Sequence, residues 1–187
     1  MDTRRIVTGL ALVIGSAWGA GIAQAQLCEN TCEADVVGPR QGRHTWSDTS
    51  ADSVLWPPNH KFATITVSAS NNDGDECDVT IDDVRQDEAV DEVGSGGANH
   101  SPDATNCSNA GNASRVDLRG ERSGTGTGRY YHISFTMEDP DCMMPKMDEA
   151  LVLVPHDQGV AHLGTWLDEG GVFGSDGSSD LAISCLE

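Results

Sequence analysis

Tyr130-Tyr131-His132-Ile133-Ser134-Phe135-Thr136-Met137 is the stretch that decides the fold. Its odd positions carry Tyr, Ile, Phe and Met, and its even positions carry Tyr, His, Ser and Thr. A two-residue period sends successive side chains to opposite faces, so it predicts a strand with one buried face. The same period recurs upstream. Ala63, Ile65, Val67 and Ala69 oppose Thr64, Thr66 and Ser68. Cys77, Val79 and Ile81 oppose Asp78, Thr80 and Asp82, and Val116 and Leu118 oppose Asp117 and Arg119. Downstream, Ala150 to Val154 is continuously apolar, the pattern of a strand covered on both faces.

Turn-forming pieces separate these segments: Asn71-Asn72-Asp73-Gly74-Asp75, Ser123-Gly124-Thr125-Gly126-Thr127-Gly128 and Asp139-Pro140-Asp141. Residues 94–114 read as one long Gly/Ser/Asn loop tied down by Cys107. With weaker candidates at 53–56 and 161–167, about seven strands are expected, and no helical apolar stripe beyond the N-terminus. The expected class is all-β: an antiparallel immunoglobulin-like β-sandwich.

The chain has 187 residues, 11 Lys+Arg against 30 Asp+Glu, and a net charge of −19. Such a polyanion repels phosphates, which excludes non-specific nucleic-acid binding and docking on anionic lipid. Residues 1–25 combine Arg4 and Arg5, an apolar run from Ile6 to Ile22, and Ala23-Gln24-Ala25. That is the charged start, apolar middle and small-x-small end of a secretory signal peptide, with cleavage expected after Ala25. No second apolar run is long enough for a membrane span. The expected location is therefore the periplasm or the extracellular medium, and the expected organisation is signal peptide 1–25, a polar Cys-containing lead-in 26–52, a β-sandwich 53–160 and a C-terminal extension 161–187.

Six cysteines follow the signal segment: Cys28, Cys32, Cys77, Cys107, Cys142 and Cys185. An even number in an exported chain argues for disulfides, although sequence alone does not choose the pairing. One arrangement closes a local Cys28–Cys32 loop, bridges Cys77 to Cys142 across the sandwich and ties Cys107 to Cys185. Zinc is the alternative, but the spacings match no C-x-x-C pair.

Three motifs carry a family resemblance: Leu55-Trp56-Pro57-Pro58-Asn59-His60-Lys61, Leu118-Arg119-Gly120-Glu121-Arg122-Ser123-Gly124 through Gly128-Arg129-Tyr130, and Val154-Pro155-His156-Asp157. In this order they resemble the HYR-like, immunoglobulin-like modules of bacterial extracellular proteins, over residues 53–159. Asp87-Glu88 and Ser101-Pro102-Asp103-Ala104 sit where that family places acidic and "PDA"-like segments. The resemblance implies an extracellular accessory module and no catalytic activity. The extra cysteines and Met143-Met144-Pro145-Lys146-Met147 depart from it.

Several residues carry candidate chemistry. Trp56 before two prolines is either a plug over the core or a flat platform for a ligand. Asn59, His60, His156 and Asp157 meet in space if the first and last strands are neighbours, and then form either a metal site or hydrogen-bonded corners. Glu121 and Arg122 are expected to ion-pair with Asp117 or Arg129 at the surface. Asp73, Asp75 and Glu76 on one turn, with Asp139 and Asp141 on another, are hard oxygen donors suited to Ca²⁺, or else solvated acidic surface. Met137, Met143, Met144 and Met147 near Cys142 and His132 are soft donors suited to copper, or else gap-filling side chains. No Gly-x-Ser-x-Gly or His-Glu-x-x-His motif supports a hydrolase. The function expected is a non-catalytic binding or structural module whose partner is an extracellular protein or polysaccharide; the second reading is a copper- or zinc-binding protein.

Overall fold

The computed structural model describes residues 28–39, 51–88, 101–124, 127–156 and 173–174. The expected signal peptide, the 161–167 strand candidate, Asp157 and Cys185 lie outside these residues. Among the described residues there is no helix, and the strands are β1 (Glu33–Val37), β2 (Ser53–Val54), β3 (Phe62–Ser70), β4 (Glu76–Gln86), β5 (Ala104–Ala110), β6 (Ala113–Arg119), β7 (Gly128–Asp139), β8 (Cys142–Pro155) and β9 (Phe173–Gly174). All pairings are antiparallel except β2 with β8.

The main path is β2-β8-β7-β4-β3-β6-β5, with β1 added beside β3 and β9 beside β4. β3 and β4 pair only at Ala69–Cys77 and Ser70–Glu76, next to their connecting turn. Beyond that corner β3 pairs with β6 and β4 with β7. Ile65, Val67, Val116 and Leu118 from one half form a single buried cluster with Val79, Ile81, Tyr131, Ile133, Phe135, Val152 and Val154 from the other. The two halves thus cover each other's apolar faces. Removing one such aliphatic or aromatic side chain from water contributes about 1.5–3 kcal/mol.

The inward face of β7 is the one its alternation predicts, with Tyr131, Ile133 and Met137 fully buried. The continuously apolar stretch of β8 is also covered twice. Val152 and Val154 join the main cluster, while Leu153 packs with Val54 and Tyr130 in a second one. β4 runs beyond the alternation that marks its start. A bulge between Ile81 and Asp83 resets the parity, so that Val84 and Gln86 face inward after Val79 and Ile81.

Three expectations are corrected. Segment 26–52 is not only a lead-in, because β1 within it pairs with β3 over Glu33–Ser70 to Val37–Thr66. Its inward residues are the small Ala34 and Val36, a weak apolar signal. Residues 94–114 are not one loop either. β5 and β6 form a hairpin across Gly111-Asn112, where Gly111 supplies the positive φ of 60° at the first turn position. β5 is an edge strand of polar residues, which leaves little hydrophobic period to read. The disulfides are Cys28–Cys142 and Cys32–Cys77, not Cys28–Cys32 and Cys77–Cys142. In β1's approach, Cys32 is buried in the core beside Cys77, while Cys28 reaches the β7–β8 turn. Cys107 is also disulfide-bonded.

Candidate functional site

Parallel pairing of β2 with β8 sends the segments that follow them toward the same pole, so the Trp56–Lys61 and Pro155–His156 motifs end there together. The β6–β7 connection and the Asp87-Glu88 and Pro102-Asp103 segments join them. The described residues of the three motifs therefore gather at one end of the molecule.

The centre of this pole is a buried ionic network. Arg129 continues the inward face of β7 one step past Tyr131, and its side chain is fully buried. Its Nη1 donates to Asp103 Oδ2 at 2.6 Å and its Nε to Glu88 Oε2 at 3.2 Å. Gln86 Nε2 donates to the same Asp103 oxygen at 2.9 Å and to Glu88 O at 2.7 Å. Ser123 N–H donates to Glu88 Oε2 at 2.6 Å. Asp87 and Tyr130 exchange two further bonds, through Tyr130 N to Asp87 Oδ1 and Asp87 N to Tyr130 O.

Burial pushes the Glu88 carboxyl above its ordinary value, against the Ser123 N–H and the Arg129 charge, which pull it down. Burial holds the Tyr131 phenol far above its ordinary range, and its hydroxyl donates to Arg119 O at 2.8 Å. Gln86 Oε1, Asp103 Oδ1 and Glu121 Oε1 are buried without a hydrogen-bond partner. The nearest compensation for Asp103 Oδ1 is the Arg119 guanidinium, 3.6 Å away.

Glu121 and its neighbours correct the surface ion pairs expected from sequence. Glu121 is fully buried, and its Oε2 lies 2.9 Å from His60 Nδ1 and 4.0 Å from Arg119 Nε. Asp117 instead accepts from Thr64 Oγ1 at 2.6 Å and Asn106 Nδ2 at 2.8 Å. Arg119 donates to Pro102 O and His60 O, and its guanidinium lies 4.3 Å from the centre of the Phe62 ring. His60 sits at a positive φ of 61°, fixed from both sides because its N–H donates to Gly120 O and its carbonyl accepts from Arg119. The signal for this network was present in parity alone: Arg129 shares its face with Tyr131, Ile133, Phe135 and Met137.

Above the network lies a shallow groove of about 260 Å³, bordered by Leu55, Trp56, Pro57, Asn59, Lys61 and Phe62. Trp56 is half-buried and Phe62 is 39% exposed. Asn59 Oδ1 accepts from Lys61 N at 3.1 Å, which orients the turn. His60 faces a separate small recess beside Arg122 and Gly124, and His156 Nε2 lies 3.1 Å from Gly124 O. Of the sequence's binding residues, Trp56, Asn59, His60 and His156 are thus brought to one pole but divided between two concavities.

The opposite pole holds the acidic turns. Asn71 Oδ1 accepts from the N–H groups of Asp73 and Asp75, closing the β3–β4 turn, and its Nδ2 donates to Asp139 Oδ1 at 3.4 Å. Asp139 also accepts from Asp141 N and Thr31 N. The Asp141 N–H foremost, opposed by partial burial and aided by Thr31 N–H and the Asn71 amide, holds the Asp139 carboxyl below its ordinary value. Asp139 is thereby a hydrogen-bonded corner that joins both turns to the N-terminal segment. Asp73, Asp75, Glu76 and Asp141 are exposed, and Glu76 accepts from Asn112 Nδ2. Among the described residues no group of three or more His, Cys, Asp or Glu side chains is placed to hold a metal ion.

The soft-metal candidates diverge. Met137 is in the core, Cys142 is consumed by its bridge to Cys28, and His132 lies against Glu149 at 3.2 Å. Met144 and Met147 are exposed three positions apart on β8, hence on opposite faces.

Comparison with protein-family models, curated proteins and solved structures gave no match.

Proposed function

We propose that this protein is a secreted, disulfide-stabilised immunoglobulin-like module, HYR-like in its motifs, with a non-catalytic binding role at or outside the cell envelope. The observation that carries the reading is strand order. One half runs β1-β3-β6-β5 and the other β4-β7-β8, which correspond to the ABED and CFG sheets of an immunoglobulin domain. The parallel addition of β2 to β8 extends the second half.

Convergence of the described motif residues on one pole adds to the support for the resemblance. The motifs of Trp56, of Arg119, Glu121 and Arg129, and of His156 are separate in sequence and share one network and its rim. Export is supported by the Cys28–Cys142 and Cys32–Cys77 bridges, which belong to oxidising compartments. Among the described residues no helix is long and apolar enough to cross a membrane.

The test is expression of the full chain in a bacterial host with fractionation, N-terminal sequencing and intact mass under non-reducing conditions. The expected product lies outside the cytoplasm, begins at Gln26 and carries no free thiol. A cytoplasmic product with an intact N-terminus and free thiols would overturn the reading.

A further inference from the structure

We propose that the groove between Trp56 and Phe62 binds an anionic sugar residue, a uronate carried on an extracellular polysaccharide. This deepens the binding-module reading and rests on it.

The first support is the wall. Phe62 is one of few large apolar side chains left exposed, and the Arg119 guanidinium holds its ring from one side. Arg119 is itself tied to Pro102 O and His60 O, so the ring is set before any ligand arrives. With Trp56 and Pro57 it offers flat apolar surfaces of the kind against which the C–H face of a pyranose packs.

The second support is charge. The chain carries 30 Asp+Glu against 11 Lys+Arg, yet among the described residues none bordering this groove is acidic. The Lys61 ammonium makes no hydrogen bond or ion pair among the described residues, and the Asn59 side-chain NH₂ donates to none. A wider groove elsewhere, lined by Glu33, Asp35 and Glu76, shows the acidic character of the remaining surface. A polyanion is repelled there and meets donors in the groove at the Trp56 pole.

The third support is size. At about 260 Å³ and open on one side, the groove falls short of the ~300–1,000 Å³ that encloses a whole small molecule. It suits one ring of a chain lying across it, with weak binding per site multiplied by repetition along the polymer. An acidic peptide would satisfy Lys61 but presents no ring to the aromatic wall, so it serves as the control.

The experiment uses the exported, oxidised protein and three probes of similar length: oligogalacturonate, neutral galacto-oligosaccharide and polyglutamate. Binding is followed by NMR shift perturbation at low and physiological salt. Oligogalacturonate is expected to bind, about tenfold more weakly in Lys61→Gln and in Phe62→Ala, with Lys61→Arg retaining most of the affinity. Both positions are exposed, and unchanged melting temperatures verify that the variants fold. Three results overturn the proposal: no uronate binding, polyglutamate binding equally with Phe62→Ala unchanged, or neutral sugar binding equally with Lys61→Gln unchanged. An exported, folded, oxidised chain that ignores uronates overturns the groove alone, whereas a reduced chain kept in the cytoplasm overturns the module reading beneath it.

Discussion

Arg129 Nη1 lies 2.6 Å from Asp103 Oδ2 with both side chains shut off from solvent, at the inner end of a strand whose other inward residues are Tyr131, Ile133, Phe135 and Met137. A charge in that position is tolerated only because it is paired and hydrogen-bonded. Glu88, Gln86 and Asp103 surround it, and the chain segments that supply them are otherwise unrelated in sequence.

Removing one partner of such a pair leaves the other charge buried and unmatched. Arg129→Met is therefore expected to lower stability by about 3–5 kcal/mol in urea denaturation. Arg129→Met combined with Asp103→Leu should recover part of that loss, since only Glu88, partly exposed and still holding the Ser123 N–H, then lacks its charged partner. A double variant no more stable than Arg129→Met would show that the pair is not the source of the effect.

Asp139 gives the acidic pole a pH-dependent anchor. The Asp139 carboxyl is held below its ordinary value of 3.8, so its stabilisation is complete above that pH and is lost as the pH falls through the lowered folded value. Asp139→Asn should reduce the melting temperature at pH 7, with the difference from wild type shrinking below about pH 3.8. Because its oxygens already accept from Asp141, Thr31 and Asn71, Ca²⁺ and Mg²⁺ at matched ionic strength should raise the melting temperature equally, by screening. A rise specific to Ca²⁺ would place a cation among the acidic turns after all.

The two described bridges differ in access. Cys32 and Cys77 are both fully buried, while Cys28 is partly exposed beside Cys142. Limiting reductant should open Cys28–Cys142 first, as read by alkylation and peptide mapping. Their sequence separations of 114 and 45 residues give chain-entropy contributions of about 4.8 and 4.0 kcal/mol respectively. Simultaneous loss of both bridges would contradict the difference in burial.

Gly38 follows β1 where the chain passes Ser53 and Ile65. A methyl group there would fall 2.3 Å from Ser53 Oγ and 2.6 Å from Ile65 Cδ1. Gly38→Ala is expected to destabilise by about 1–3 kcal/mol through overpacking. Gly74→Ala meets no neighbour, but its φ of +90° brings backbone strain instead. Equal stability of wild type and Gly38→Ala would mean that Gly38-Pro39 can shift outward.

Strands β3, β6 and β7 were legible because Ile65, Val67, Val116, Leu118, Ile133 and Phe135 alternate strictly with polar residues. β4 was legible only to Asp82, since a bulge breaks the period that identifies a strand. β1 and β5 were hidden for another reason: edge strands bury few and small residues, and Ala34, Val36, Ala104 and Thr105 give hardly any contrast between faces. The Gly111-Asn112 turn was the available sign of the β5–β6 hairpin. At the site, sequence grouped Asn59, His60, His156 and Asp157; the first three lie at one pole, and Asp157 is outside the described residues. It missed Arg129, Asp103 and Glu88 as a unit, because charged residues read as surface until their parity is followed along the strand. Disulfide pairing was out of reach, since it depends on where the N-terminal segment crosses the fold.

That crossing also sets how the molecule bears load. Cys28 is joined to Cys142 at the head of β8, so tension entering ahead of residue 28 and leaving through β8 bypasses the 114 positions between them. About 400 Å of potential extension is locked out of the force path. While that bond is intact, a pull along the chain is carried covalently past seven of the nine described strands, and the hairpins between never come under strain.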